Sequence, residues 1–192
     1  MTIVAGHWEV KHTGTLDFKQ LYQQIHDWVL EREYSPSRHD HEFPETLYFD
    51  SRSQPAGREV WIWWRCNYVP EDNPFYRYNL RINFFANRMK DMDVMVANKK
   101  QSVQWGEFRI IIDGLLETDV KGEWQRHPLL KHLYRFFVER VMWKDIEKRR
   151  TLLISDAEDL IRTIKAFYGT HHWEPLGKAF VPKLGLQETN PY

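Results

Sequence analysis

Glu59-Val-Trp-Ile-Trp-Trp-Arg-Cys-Asn-Tyr-Val69, then Pro70-Glu-Asp-Asn-Pro74, then Phe75-Tyr-Arg-Tyr-Asn-Leu-Arg-Ile-Asn-Phe-Phe85 is the stretch whose reading decides the fold. Two runs rich in aromatic and β-branched residues flank a turn built on two prolines, which predicts a long antiparallel hairpin. Successive strand side chains point to opposite faces. Val60, Ile62, Trp64, Cys66 and Tyr68 therefore share one face, with Tyr76, Tyr78, Leu80, Ile82 and Phe84 of the second strand. Glu59, Trp61, Trp63, Arg65 and Asn67 share the other, with Arg77, Asn79, Arg81 and Asn83. The first set reads as a core face. The second is polar and basic, yet carries two tryptophans.

Working outward, His7 to His12 predicts an opening strand closed by Thr13-Gly14. Asp17, with Gln20 three residues on, reads as the cap of a helix whose apolar stripe is Phe18, Leu21, Tyr22, Ile25, Trp28 and Val29. The helix is expected to end near Tyr34-Ser35-Pro36, and Ser37 to Glu42 to be a polar loop. Leu47 to Phe49 predicts a short strand, and Pro55-Ala56-Gly57 a turn into the hairpin. Beyond it, Met92 to Val96 predicts a strand, Lys99-Lys100 a turn, and Val103 to Thr118 a long strand or strand pair, with Gly106 and Gly114 as bulges or bends. Pro128 is placed at the start of a long helix carrying Leu129, Leu133, Tyr134, Phe137, Val138 and Val141 and ending in the charged run Lys144 to Arg150. Ser155 with Glu158 reads as the capping box of a separate final helix, with Gly169 as its C-cap.

The fold class expected from this order is α+β. An antiparallel meander of five to six strands carries one N-terminal helix and long C-terminal helices on one face. Residues 1–169 are assigned to one domain and 170–192 to a Pro- and Gly-containing tail that packs across it or engages a partner. The element order is similar to that of helix-grip (START-like) folds, in which a sheet wraps a C-terminal helix around an apolar cavity. That resemblance implies a cavity for an apolar ligand, lined here by Trp64, Tyr78, Ile110 and Phe137. A second resemblance is local. Lys11-His-Thr-Gly14 before the Asp17 helix, Glu117-Thr-Asp-Val-Lys-Gly-Glu-Trp-Gln-Arg-His-Pro-Leu-Leu130, and Ile164-Lys-Ala-Phe167 resemble a family of small archaeal proteins of unknown function. It implies an intracellular protein and transfers no activity.

Composition excludes some function classes. The 192 residues hold 27 Lys plus Arg against 27 Asp plus Glu, which disfavours a globally basic nucleic-acid binder and an acidic disordered chain. One cysteine, Cys66, leaves no intrachain disulfide framework and suits a reducing compartment. With no signal-peptide pattern and no long apolar run, a cytoplasmic protein without a membrane span is expected. Nine Trp, nine Tyr and eleven Phe imply a bulky core or an aromatic binding surface.

Three groups could carry chemistry. On the polar face, Trp61, Trp63, Arg65, Arg77, Arg81 and Arg109 combine the residue types that anchor desolvated protein contacts or stack and neutralise single-stranded RNA. No RNP-like motif accompanies them. A solvated face is the plain alternative. His39 and His41, with His171-His172, could ligate a metal, but their spacing fits no recognised site, so no metal and no cofactor is assigned. Asp113, Glu117, Asp119 and Glu123 could do acid–base work, although cross-strand pairing with arginines explains them without catalysis. The expectation is a non-enzymatic binding or assembly module that docks a protein or a second copy through the Trp/Arg face or the aromatic tail. An apolar small-molecule carrier or enzyme is the second reading and RNA binding the third.

Overall fold

The computed structural model describes residues 1–35, 43–53, 57–96, 99–128 and 130–170. The chain is α+β. Strand β1 (Thr2–Leu16) leads into helix α1 (Phe18–Glu31), and β2 (Glu45–Ser53), β3 (Gly57–Tyr68), β4 (Tyr76–Val96) and β5 (Lys99–Thr118) follow. Short helices α2 (Glu123–Arg126) and α3 (Leu130–Phe136), a π turn at Phe137–Val141 and the long helix α4 (Trp143–Thr170) close the order. All strand pairs are antiparallel, in the order β1-β5-β4-β3-β2.

The central hairpin pairs as its alternation requires. Trp64 faces Ile82 and Tyr68 faces Tyr78 across it. Val60, Ile62, Trp64 and Cys66 are buried, as are Tyr76, Tyr78, Leu80, Ile82 and Phe84. They form one core with Leu21, Ile25 and Val29 of α1 and with Leu153, Ala157, Leu160, Ile164 and Phe167 of α4. Burial pushes the Cys66 thiol up to about 12 and so keeps it neutral.

Several boundaries differ from expectation. The opening strand runs through Thr13-Gly14 to Leu16, because its ladder with β5 continues to the Leu16–Gln104 pair. The segment expected as a separate strand at Met92–Val96 is the far end of β4. A bulge between Asn87 and Lys90, with Arg88 at φ 55°, lets β4 bend and go on, so the described sheet has five strands. Lys99 and Lys100 belong to β5 rather than to a turn. Gly106 lies opposite that bulge. Gly114 pairs with Gly6 beside a register shift between Val4 and Gly6, and a Cβ there would meet the Trp8 ring at 3.2 Å. The small pair makes room for the indole.

The C-terminal helices also divide differently. The charged run from Lys144 does not end a helix, since α4 passes through it and through Ser155 without a break. Strong helix formers and spaced pairs such as Arg149–Asp145 at 3.2 Å carry the helix across. The break falls instead at the π turn ending at Val141. Gly169 is inside α4, which reaches Thr170 and so enters the expected tail. Residues 171–192, the Ser37–Glu42 loop with His39 and His41, and the Pro55-Ala56 turn lie outside the described residues. No helix among the described residues is long and apolar enough to cross a membrane.

Helix α1 begins as its sequence dictates: Asp17 accepts a hydrogen bond from the Gln20 amide at 3.0 Å. Two carboxylates of α4 then tie α1 down. Asp159 accepts from Trp28 Nε1 at 3.1 Å and from Arg32 at 2.8 Å, and Asp156 accepts from the Tyr34 hydroxyl at 2.8 Å. The indole donor, and then the Arg32 and Arg162 cations, hold the Asp159 carboxyl below its ordinary value. On β2, two hydrogen bonds from Arg58 do the same for Asp50. A carboxyl that is more acidic when folded contributes stability above its unfolded pKa and loses it as pH falls through the folded value. The midpoint of urea unfolding should therefore hold steady down to about pH 4 and drop below it. Asp159→Asn should flatten part of that drop.

Candidate functional site

The described helices bury one face of the sheet and leave the other uncovered by any described helix. Register arranges the open face in rows across the strands. Phe49, Trp61, Phe85, Arg109 and Lys11 form the first row, and Leu47, Trp63, Asn83, Ile111 and Glu9 the second. Arg65, Arg81, Asp113 and His7 form the third, and Asn67, Asn79, Leu115 and Val4 the fourth. Arg77, Glu117 and Thr2 close the set.

The first two rows make an aromatic shelf. Phe49 and Trp61 lie with ring centroids 5.4 Å apart, and Trp61 and Phe85 6.3 Å apart, edge to face. Trp61 is 38% exposed and Trp63 37%, whereas Trp64 between Trp63 and Arg65 is 0% exposed. That contrast between the adjacent Trp63 and Trp64 separates surface rings from core rings. Trp105 also lies open, at 39%. Two cations lie over the shelf: Arg65 stands 5.5 Å from the Trp63 ring and Arg109 5.1 Å from the Phe85 ring.

Charge on this face is largely internally paired. Arg109 and Lys11 share Glu9, at 3.4 and 3.2 Å. Arg77 reaches Glu117 at 3.5 Å, where the Asn79 amide also donates at 3.4 Å. Asp113 Oδ1 lies 2.6 Å from His7 Nδ1. Arg65 donates to Asn83 Oδ1 at 2.8 Å and to the Trp64 carbonyl at 2.9 Å. Burial, and then the neighbouring Arg81 cation, lower the Arg65 guanidinium from its ordinary value. These contacts bring Trp61, Trp63, Arg65, Arg77, Arg81 and Arg109 onto one continuous surface. Leu47, Phe49 and Phe85 belong with them by register and were not singled out from sequence. Phe85 shares parity with Asn83 and Arg81, so alternation alone could have found it. Phe49 meets Trp61 only through the β2–β3 register.

The carboxylates divide among separate tasks. Asp113 and Glu117 pair across strands. Asp119 is buried and accepts from the Trp124 amide at 3.3 Å, capping the turn before α2, in whose first turn Glu123 stands. No group of three or more His, Cys, Asp or Glu side chains among the described residues is arranged to hold a metal.

Of the four residues expected to line a helix-grip cavity, three lie in the core and one lies beside Trp124. Trp64, Tyr78 and Ile110 are buried core residues. Trp64 packs edge-on against Tyr22, Phe43 and Phe84 at 4.7–5.0 Å and donates from Nε1 to Glu45 at 3.0 Å. Phe137 stacks on Trp124 at 4.6 Å. A cleft of about 540 Å³ does lie between α1 and the sheet, lined by Phe18, Tyr22, Glu45, Tyr48, Arg58 and Ile62 among others.

Compared with known proteins, the chain matches no family model and no curated protein at a significant level.

Proposed function

We propose that this protein is a binding or assembly module that docks a protein partner, or a second copy of itself, on its open sheet face. The observation that carries the reading is the aromatic shelf. Phe49, Trp61, Trp63 and Phe85 lie side by side on a face that the described helices leave uncovered, with Arg65 and Arg109 over the rings. Trp and Arg are the residues that most often anchor desolvated protein contacts. Large rings clustered in one patch cost solubility, and isolated surface apolar residues need no such explanation.

The test is Trp61→Ala with Trp63→Ala. Sedimentation and native mass spectrometry of protein drawn from its own host should show a species above the monomer mass. The double variant should weaken that association about 30-fold or more. Its melting should stay cooperative, with a loss of about 2–3 kcal/mol, because each residue is already more than a third exposed. Association that survives the double substitution, or a variant that no longer melts cooperatively, overturns the reading.

A second reading, a carrier of an apolar small molecule, draws on the helix-grip-like element order and on the cleft beside α1, where Phe18 and Ile62 meet the polar Glu45 and Arg58. A discrete small mass retained in the native spectrum, and lost in Ile62→Trp, would favour it.

A further inference from the structure

We infer that Arg65 and Arg81 form the seat for a single oxyanion, a carboxylate or phosphate, carried by the protein partner of the open face. This rests on the docking reading and adds the chemistry of the partner. In the outer rows of the face, Lys11, Arg77 and Arg109 each have a carboxylate within ion-pair distance. Arg65 and Arg81 have none among the described residues. They are direct cross-strand neighbours, and like charges directly opposite one another destabilise a sheet. Asp113, next in the row, is held by His7 at 2.6 Å, so the row sets two guanidiniums against one carboxylate.

The surroundings suit an incoming anion. Thr2, Asn67 and Asn79 join the two arginines around a depression of about 360 Å³, with Glu117 on its wall. Glu117 is itself engaged by Arg77 and Asn79. Arginine forks bind carboxylate and phosphate in two-point geometry. A polyanion fits less well, because Glu9, Asp113 and Glu117 interrupt the face and would repel a track of phosphates. One charge beside an apolar shelf is the pattern of an acidic residue next to a bulky one on a protein, rather than of an RNA strand.

The experiment titrates the isolated full chain with acetate, with inorganic phosphate and with a short single-stranded RNA, against sodium chloride at matched ionic strength. It reads the arginine Nε–Hε resonances. Arg65 and Arg81 should shift and saturate, while Arg77 and Arg109, already paired, stay unmoved. Preference for acetate identifies a carboxylate source and preference for phosphate a phosphorylated one. Arg81→Gln should abolish the response and raise the melting temperature by about 1–3 °C by removing the repulsion. Equal response of all four arginines, no response beyond chloride, or tighter RNA binding that moves Arg77 and Arg109 as well would overturn the inference. Loss of the arginine response with Trp-dependent association intact removes the anion seat alone. An intact response with Trp-independent association removes the docking reading alone.

Discussion

Trp64→Ala is expected to cost about 3–5 kcal/mol, the range for emptying a large aromatic site in a core. The indole is fully buried and contacts rings from three parts of the chain: Tyr22 of α1, Phe84 of β4, and Phe43 ahead of β2. Its Nε1 also donates to Glu45, so the substitution removes a partner from a partly buried carboxylate as well as leaving a cavity. In a domain with a typical stability of 5–15 kcal/mol that is a large share, and the melting temperature should fall by about 10 °C or more. Trp63→Ala, one residue away, should cost clearly less, about 1–2 kcal/mol, because the residue is already more than a third exposed. Urea unfolding of the two variants side by side checks the pair. Similar losses at both positions would mean that the open face is covered, and the docking surface would have to be sought elsewhere.

Arg149→Ala should cost about 1–3 kcal/mol, because it removes a buried guanidinium bonded to three groups, although its carboxylate partners are exposed. Its side chain is 11% exposed and joins three parts of the chain. It donates to Asp72 in the β3–β4 turn at 2.9 Å, to Asp145 of α4 at 3.2 Å and to the Tyr78 hydroxyl of β4 at 3.4 Å. The guanidinium also lies 4.5 Å from the Tyr76 ring centroid. Burial by itself would lower its pKa, but the hydrogen bonds to Asp72, Tyr78 and Asp145 outweigh burial and raise it. Arg149→Lys should recover less than half of the loss, because a point charge cannot reach three acceptors in one plane. A loss below about 1 kcal/mol for the alanine variant would show that α4 is anchored by its apolar stripe alone.

Much of this architecture was legible in the residues. Period-two alternation through Glu59–Phe85 sorted Trp64 into the core and Trp61 and Trp63 onto the open face, and each stands there. Asp17 marked the helix start correctly because a cap is a local hydrogen bond. The errors came where a local signal met a tertiary one. Ser155 with Glu158 has the form of a capping box, but Leu153, Ala157, Leu160 and Ile164 keep one uninterrupted stripe against the core, and the helix runs through. The Asn87–Lys90 bulge hid the continuity of β4, since an extra residue shifts the parity on which alternation depends.

The candidate surface was legible in kind and not in arrangement. By itself, the sequence determined the α+β class, the hairpin at the centre of the sheet and the parity of its rings. A single strand carries that information in its own side-chain order. Only the tertiary structure decided which residues of distant strands become neighbours. Alternation is unchanged by a register shift of two residues, so it could not say that Phe49 meets Trp61, that His7 meets Asp113, or that Arg65 lies against Arg81. Those pairings follow from closing the whole ladder over one packed core, and they make the open face a shelf of rings beside two opposed arginines.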